Sequence, residues 1–122
     1  AGAVVITGGG PGVMAAAGRG ARETGAVVVG ILPGSDRSGA NEFVSVALPT
    51  GLGELRNGLV VRAADAIIAV GGAYGTLSEI ALALTAGVGV VGVDSWSIDG
   101  VQNADSPEAA VARALALAGG AS

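Results

Sequence analysis

The sequence predicts a layered α/β domain built on a parallel sheet, and three observations carry that expectation. Short β-branched or apolar runs at residues 3–7, 26–31, 65–70 and 88–93 alternate with helix-length segments rich in Ala and Leu. Two of the strand-to-helix joints, residues 8–12 and 71–75, are glycine turns. Packing is left to Ala, Val, Gly and Leu, because 51% of the chain is apolar yet it holds a single Trp, a single Tyr and a single Phe. Small side chains let helices lie close to a sheet. A chain of 122 residues fits one domain, residues 1–122, with its own core.

Taken in order, residues 3–7 read as a buried parallel strand and 8–12 as a turn. A helix follows over 13–23, with Gly18 and Gly20 as weak points and Gly25 as its stop. Residues 26–31 are the second strand. The Pro, Gly, Ser, Asp and Arg of 32–41 predict a mobile surface loop. A short strand at 43–47 is broken by Pro49, Thr50 and Gly51. Residues 52–64 read as helical, with Leu55, Leu59 and Val60 on one face. The clearest buried strand is 65–70. The second glycine turn and a helix over 76–85, closed near Gly87, come next. Residues 88–93 are another apolar strand and 94–105 a loop. Ser106, Pro107 and Glu108 supply an N-cap, a first helical residue and a first-turn acid for a last helix ending near Ala118. Alternation of this kind implies right-handed crossovers between parallel strands.

Net charge is −4, and the cations are six Arg with no Lys. No basic stripe exists to neutralise a nucleic-acid backbone, so nucleic acid is excluded as a partner. The chain has neither Cys nor His. That removes disulfides, thiolate and imidazole chemistry and the usual zinc sites, and no metal site is expected. Any catalysis must rest on carboxylates, Arg, hydroxyls and backbone N–H groups. The apolar runs are short and broken by Gly and charge, so no membrane span is expected. The first six residues lack the basic region of a signal peptide. The cytoplasm is the expected location.

Ligands of open parallel sheets bind beyond the carboxyl ends of the strands, where both glycine turns fall. Free N–H groups and the positive end of a helix dipole make such a turn an anion site. The candidate phosphate- or nucleotide-binding residues are Gly9, Gly10, Gly12 and Met14 in the first turn, and Gly71, Gly72, Tyr74, Gly75 and Thr76 in the second. Neither turn is G-x-G-x-x-G or a P-loop, so the glycines alternatively serve only tight turns and close packing. Two such turns at one sheet edge favour a ligand. Glu79 lies one helical turn beyond Thr76, facing the glycine loop, or closes a capping box with it. Arg56 is a solvated surface residue or a ligand contact. Arg62 suits a helix C-terminus, and Asp65 caps a turn or pairs with Arg62. Tyr74 stacks on a base or ribose, or covers its loop.

The run Ile6-Thr7-Gly8-Gly9-Gly10-Pro11-Gly12-Val13-Met14 resembles the first signature of the Lonely Guy (LOG) superfamily, once described as possible lysine decarboxylases. Gly71-Gly72-Ala73-Tyr74-Gly75-Thr76-Leu77-Ser78-Glu79 resembles the second, usually Pro-Gly-Gly-x-Gly-Thr-x-x-Glu. The resemblance spans nearly the whole chain. It implies a Rossmann-like open parallel sheet with helices on both faces, and a homodimer. It also implies hydrolysis of nucleoside 5′-monophosphates to base and ribose 5-phosphate, with Arg56 and Glu79 catalytic and Gly72, Gly75 and Thr76 on the phosphate. A carboxylate suits the oxocarbenium character of that cleavage, and no cofactor is required.

The departures point to a second expectation. Gly71 stands in place of Pro, Ala73 in place of the second Gly, and Asn57 in place of the Lys after the catalytic Arg. With Thr50-Gly51-Leu52 and Arg62-Ala63-Ala64-Asp65, they resemble a sister cluster that includes the molybdenum-cofactor carrier proteins. The alternative is therefore a non-catalytic carrier of that phosphorylated pterin, or a nucleotide sensor, with bound molybdenum cofactor or nucleotide. In both cases the partner is a phosphorylated small molecule. Relatives begin with a further strand and helix before the first signature, and the resemblance implies that this sequence lacks that unit.

Overall fold

A computed structural model describes residues 2–120 of the chain. The fold is the expected Rossmann-like α/β class: parallel strands alternate with helices. The chain divides into two compact units, residues 1–60 and 61–122. Its described strands pair as two three-stranded parallel sheets, one in each unit.

In the first unit β1 (Val5–Thr7), β2 (Val28–Leu32) and β3 (Val46–Pro49) lie in that order, with α1 (Val13–Glu23) crossing between β1 and β2. The register sets Val5 beside Val28 and Val29 beside Val46. Val28, Ile31 and Leu32 are buried, as β-branched and aliphatic residues of a central parallel strand should be. Gly18, expected to weaken α1, is instead buried where a Cβ would stand 3.0 Å from that of Phe43. A Cβ there would force its neighbour to give way slightly. The third strand lies later than expected, running through Pro49 rather than over 43–47. An edge strand tolerates the missing N–H, and Pro49 sits opposite Leu32. The helix expected over 52–64 is two pieces, a 3-10 turn at Gly53–Arg56 and α2 (Asn57–Ala63).

In the second unit β4 (Ala66–Val70), β5 (Gly89–Val93) and β6 (Val101–Asn103) form the sheet, with α3 (Tyr74–Ala86) and α4 (Pro107–Gly120) packed on it. The two-residue alternation of strand side chains divides the core. Ala69 and Val90 face Ile80 and Ala83 of α3. Val91 and Val93 face Ala110 and Ala114 of α4. Helices therefore cover both faces of this sheet. Gly87 closes α3 in the left-handed conformation (φ 78°), as expected. Ser106 caps α4, its Oγ accepting the Ala109 N–H at 3.1 Å. The strand β6 falls inside residues expected to be loop. Arg62 and Asp65 are both exposed and no ion pair joins them. Among the described residues no helix is long and apolar enough to cross a membrane.

Candidate functional site

The first glycine turn joins β1 to α1. Thr7 is buried and its Oγ1 accepts the Gly9 N–H at 2.9 Å, turning the chain at once after the strand. Gly9 and Gly12 then take φ of 75° and 71°, values side chains strongly disfavour. Gly12 stands at the helix N-cap without a side-chain bond, and no acid occupies the first turn of α1. The leading N–H groups of the helix are thus not neutralised by protein charge.

Asn41 holds this turn from 32 residues further on. Its Nδ2 donates to the carbonyls of Gly9 (3.1 Å) and Gly10 (2.9 Å), and its own N–H donates to Gly9 O at 2.8 Å. The residue lies in the stretch that composition reads as a mobile loop. Its role is set by a long-range contact that local sequence does not signal.

Arg56 ends the 3-10 turn, and its guanidinium lies close against Gly8. A Cβ at Gly8 would come 2.5 to 2.7 Å from Nη2, Cζ and Nη1. Nη1 donates to Oδ1 of the buried Asn57 at 2.6 Å, while Nε is enclosed and has no hydrogen-bond partner. The surface reading of Arg56 is therefore corrected: the side chain is half-buried and positioned. Asn57, the residue found where a Lys is usual, orients the guanidinium through a neutral acceptor and leaves its charge unneutralised. Among the described residues an ion pair of this unit joins Arg19 and Glu23.

Arg56 lines an open cleft of about 360 Å³ with Gly8, Gly10, Met14, Pro33, Asp36 and Ser38. This volume lies within the range of small-molecule sites. Gly10 and Met14 from the first turn thus line the same cleft as Arg56. Asp36 and Ser38 complete the wall and were not among the sequence candidates. Ser38 donates its N–H (2.9 Å) and its hydroxyl (2.5 Å) to Asp36 Oδ1. The two bonds hold that carboxyl below its ordinary range.

The second glycine turn joins β4 to α3. Gly71 adopts φ 80° and its N–H donates to Val93 O at 3.2 Å. A Cβ on Gly72 or Gly75 would meet open space. The helix starts earlier than expected: Tyr74 and Gly75 are already helical, and the N-cap is Ala73. Thr76 is therefore inside the first turn, and the capping box with Glu79 is corrected. The N-cap residue makes no side-chain bond and no acid lies in the first turn. Glu79 is half-buried on the same helix. Tyr74 is 83% exposed and stacks on Trp96, with ring centroids 6.3 Å apart at 23°. Trp96 Nε1 donates to the Ala73 carbonyl at 3.2 Å, fixing the turn. Trp96 lies in the expected loop and its part in the turn was not legible.

Parallel strands with glycine turns at their carboxyl ends, helix N-termini behind those turns and an arginine held without a carboxylate define a Rossmann-like protein fit for a small anion. The chain belongs to the SLOG cluster4 family, whose model matches residues 1–118. It is 42% identical over 111 residues to an uncharacterised protein of Archaeoglobus fulgidus, covering 90% of this chain and 73% of that one. Among solved structures it is similar to the molybdenum cofactor binding protein of the phototrophic bacterium Rippkaea orientalis, with a TM-score of 0.88 and 34% identity over 95% of this chain and 78% of that one. It is also similar to the molybdenum cofactor carrier protein of Chlamydomonas reinhardtii, with a TM-score of 0.84, 34% identity and the same 95% and 78% coverage. The likeness places the chain in the cluster of carrier-like members that its departures from the LOG signatures indicate.

Proposed function

We propose that this protein binds a phosphorylated pterin, the molybdenum cofactor, as cargo and holds it unchanged. The observation that carries the reading is Arg56. Its guanidinium is fixed by Asn57 and by the bare backbone of Gly8, it borders a cleft of ligand size, and its Nε has no partner. An arginine so held offers directed donors to an anion at little entropic cost. The carrier and binding proteins to which the chain is similar support the choice of cargo. The turn formed by Gly71, Gly72, Gly75 and Thr76, with the N-terminus of α3 behind it, is a second anion acceptor in its own unit and suits a phosphate.

Isothermal titration with neopterin monophosphate tests the reading. Wild type is expected to bind it, and Arg56→Ala to bind at least about tenfold more weakly, the loss of one charge-assisted contact. In parallel, incubation with AMP is expected to release no adenine. Release that depends on Glu79 would replace the carrier by a nucleoside-monophosphate hydrolase.

A further inference from the structure

Two opposite charges line the cleft of the first unit and do not neutralise each other. Arg56 and Asp36 both border it, yet no ion pair joins them. Asp36 is exposed, and its two bonds from Ser38 both end on Oδ1, so Oδ2 keeps its acceptor capacity. Those bonds favour the ionised form, so the carboxylate is charged at neutral pH. The rest of the lining includes apolar side chains. Met14 lies against Gly10, its Cε 2.8 Å from where a Cβ would be, and Pro33 lines the cleft with it. A thioether and a proline ring suit the faces of a flat heterocycle.

A ligand that satisfies this cleft has an anionic group for Arg56, a flat ring for the walls, and hydrogen-bond donors for Asp36. We infer that the cleft selects heterocycles with a 2-amino-4-oxopyrimidine edge, in which an amino group and a ring N–H stand side by side, and that Asp36 with Ser38 is the group that reads this edge. Pterins and guanine present two adjacent donors there. Adenine presents one donor beside a ring nitrogen lone pair, which would face the carboxylate and be repelled. A site built to accept hydrogen bonds rejects the analogue that cannot donate them, because its own polar groups then stay unpaired. This inference rests on the phosphorylated-pterin reading and adds to it a rule of base choice.

The intact chain, as wild type and as Asp36→Asn, is titrated calorimetrically with neopterin monophosphate, GMP, AMP and inorganic phosphate. Wild type is expected to bind neopterin monophosphate and GMP at least about tenfold more tightly than AMP, the discrimination of one good paired contact. Asp36→Asn is expected to lose that margin by weakening the first two ligands while leaving AMP and phosphate unchanged. The variant should stay folded, with its melting temperature lowered only slightly, because Asp36 is exposed and the amide oxygen of the variant can still accept the bonds from Ser38. Equal binding of AMP and GMP by wild type overturns the inference without reference to any variant. Tight pterin binding that Asp36→Asn does not alter overturns it too, and leaves the carrier reading standing. Absence of binding by all four ligands removes both.

Discussion

The Gly8→Ala substitution places one methyl group between the first glycine turn and Arg56. The added Cβ would stand 2.5 to 2.7 Å from three guanidinium atoms, where about 3.4 Å or more is an ordinary contact. The backbone does not resist the change, since Gly8 is absent from the positive-φ residues. The atoms in the way are the far end of a flexible side chain, so the guanidinium swings off by about 1 Å and the fold is spared. The hydrogen bond from Nη1 to Asn57 is broken or lengthened in the process. Stability should fall by about 1 kcal/mol or less, a few degrees of melting temperature for a chain of this size. Anion binding depends on where the guanidinium points, and a charge-assisted contact is worth about 1.5–3 kcal/mol, or roughly 10- to 150-fold in Kd. Calorimetry with neopterin monophosphate and a thermal melt on the same sample separate the two effects. A variant that melts near wild type and binds within twofold of it would refute the assignment of Arg56 as the anion-holding group.

Other outcomes follow from the same contacts. Asn41→Ala removes the amide that spans the carbonyls of Gly9 and Gly10; it should cost about 1–3 kcal/mol and weaken ligand binding together with stability, and an unchanged melt would show that the turn holds its shape alone. Ile80→Ala empties a fully buried position between α3 and its sheet; the expected loss is about 2–5 kcal/mol in chemical denaturation, and a loss under about 1 kcal/mol would contradict the packing described. The Asp36 carboxyl is held low by Ser38, so its contribution to the loop is complete above the ordinary midpoint of 3.8 and fades only as pH falls through the lower, folded midpoint. Carbon NMR titration of that carboxyl should give a midpoint below 3.8 in wild type and closer to it in Ser38→Ala; a wild-type midpoint at or above 3.8 would count against the loop geometry.

Elements whose cause is local were legible in the sequence. The apolar run of β5, the helix α1 between its glycine turn and Gly25, and the Ser106-Pro107-Glu108 start of α4 all stand where their residues place them. Elements whose cause is distant were not. The strand β6 contains Gln102 and Asn103 and exists because it pairs with β5. Pro49 joins a strand because its neighbour on β2 lies on one side only. Helix α3 gains Tyr74 and Gly75, and Tyr74 is held in place by Trp96, a residue 22 positions away in sequence that local pattern could not connect to it. The candidate site shows the same division. Gly10 and Met14 stand in the first signature turn and Arg56 where the resemblance implies an arginine, whereas Asn41, Asp36 and Ser38 lie in or beside the cleft wall through the path of a loop whose composition announces only that it turns.

Cargo retention tests the central claim most directly. The protein is incubated with molybdenum cofactor, passed through a desalting column, and assayed for molybdenum by mass spectrometry and for the pterin by fluorescence after oxidation. The carrier reading predicts that about one intact cofactor is retained per binding-competent chain and that Arg56→Ala retains far less. Passage of the wild-type chain through the column free of molybdenum and pterin would contradict it.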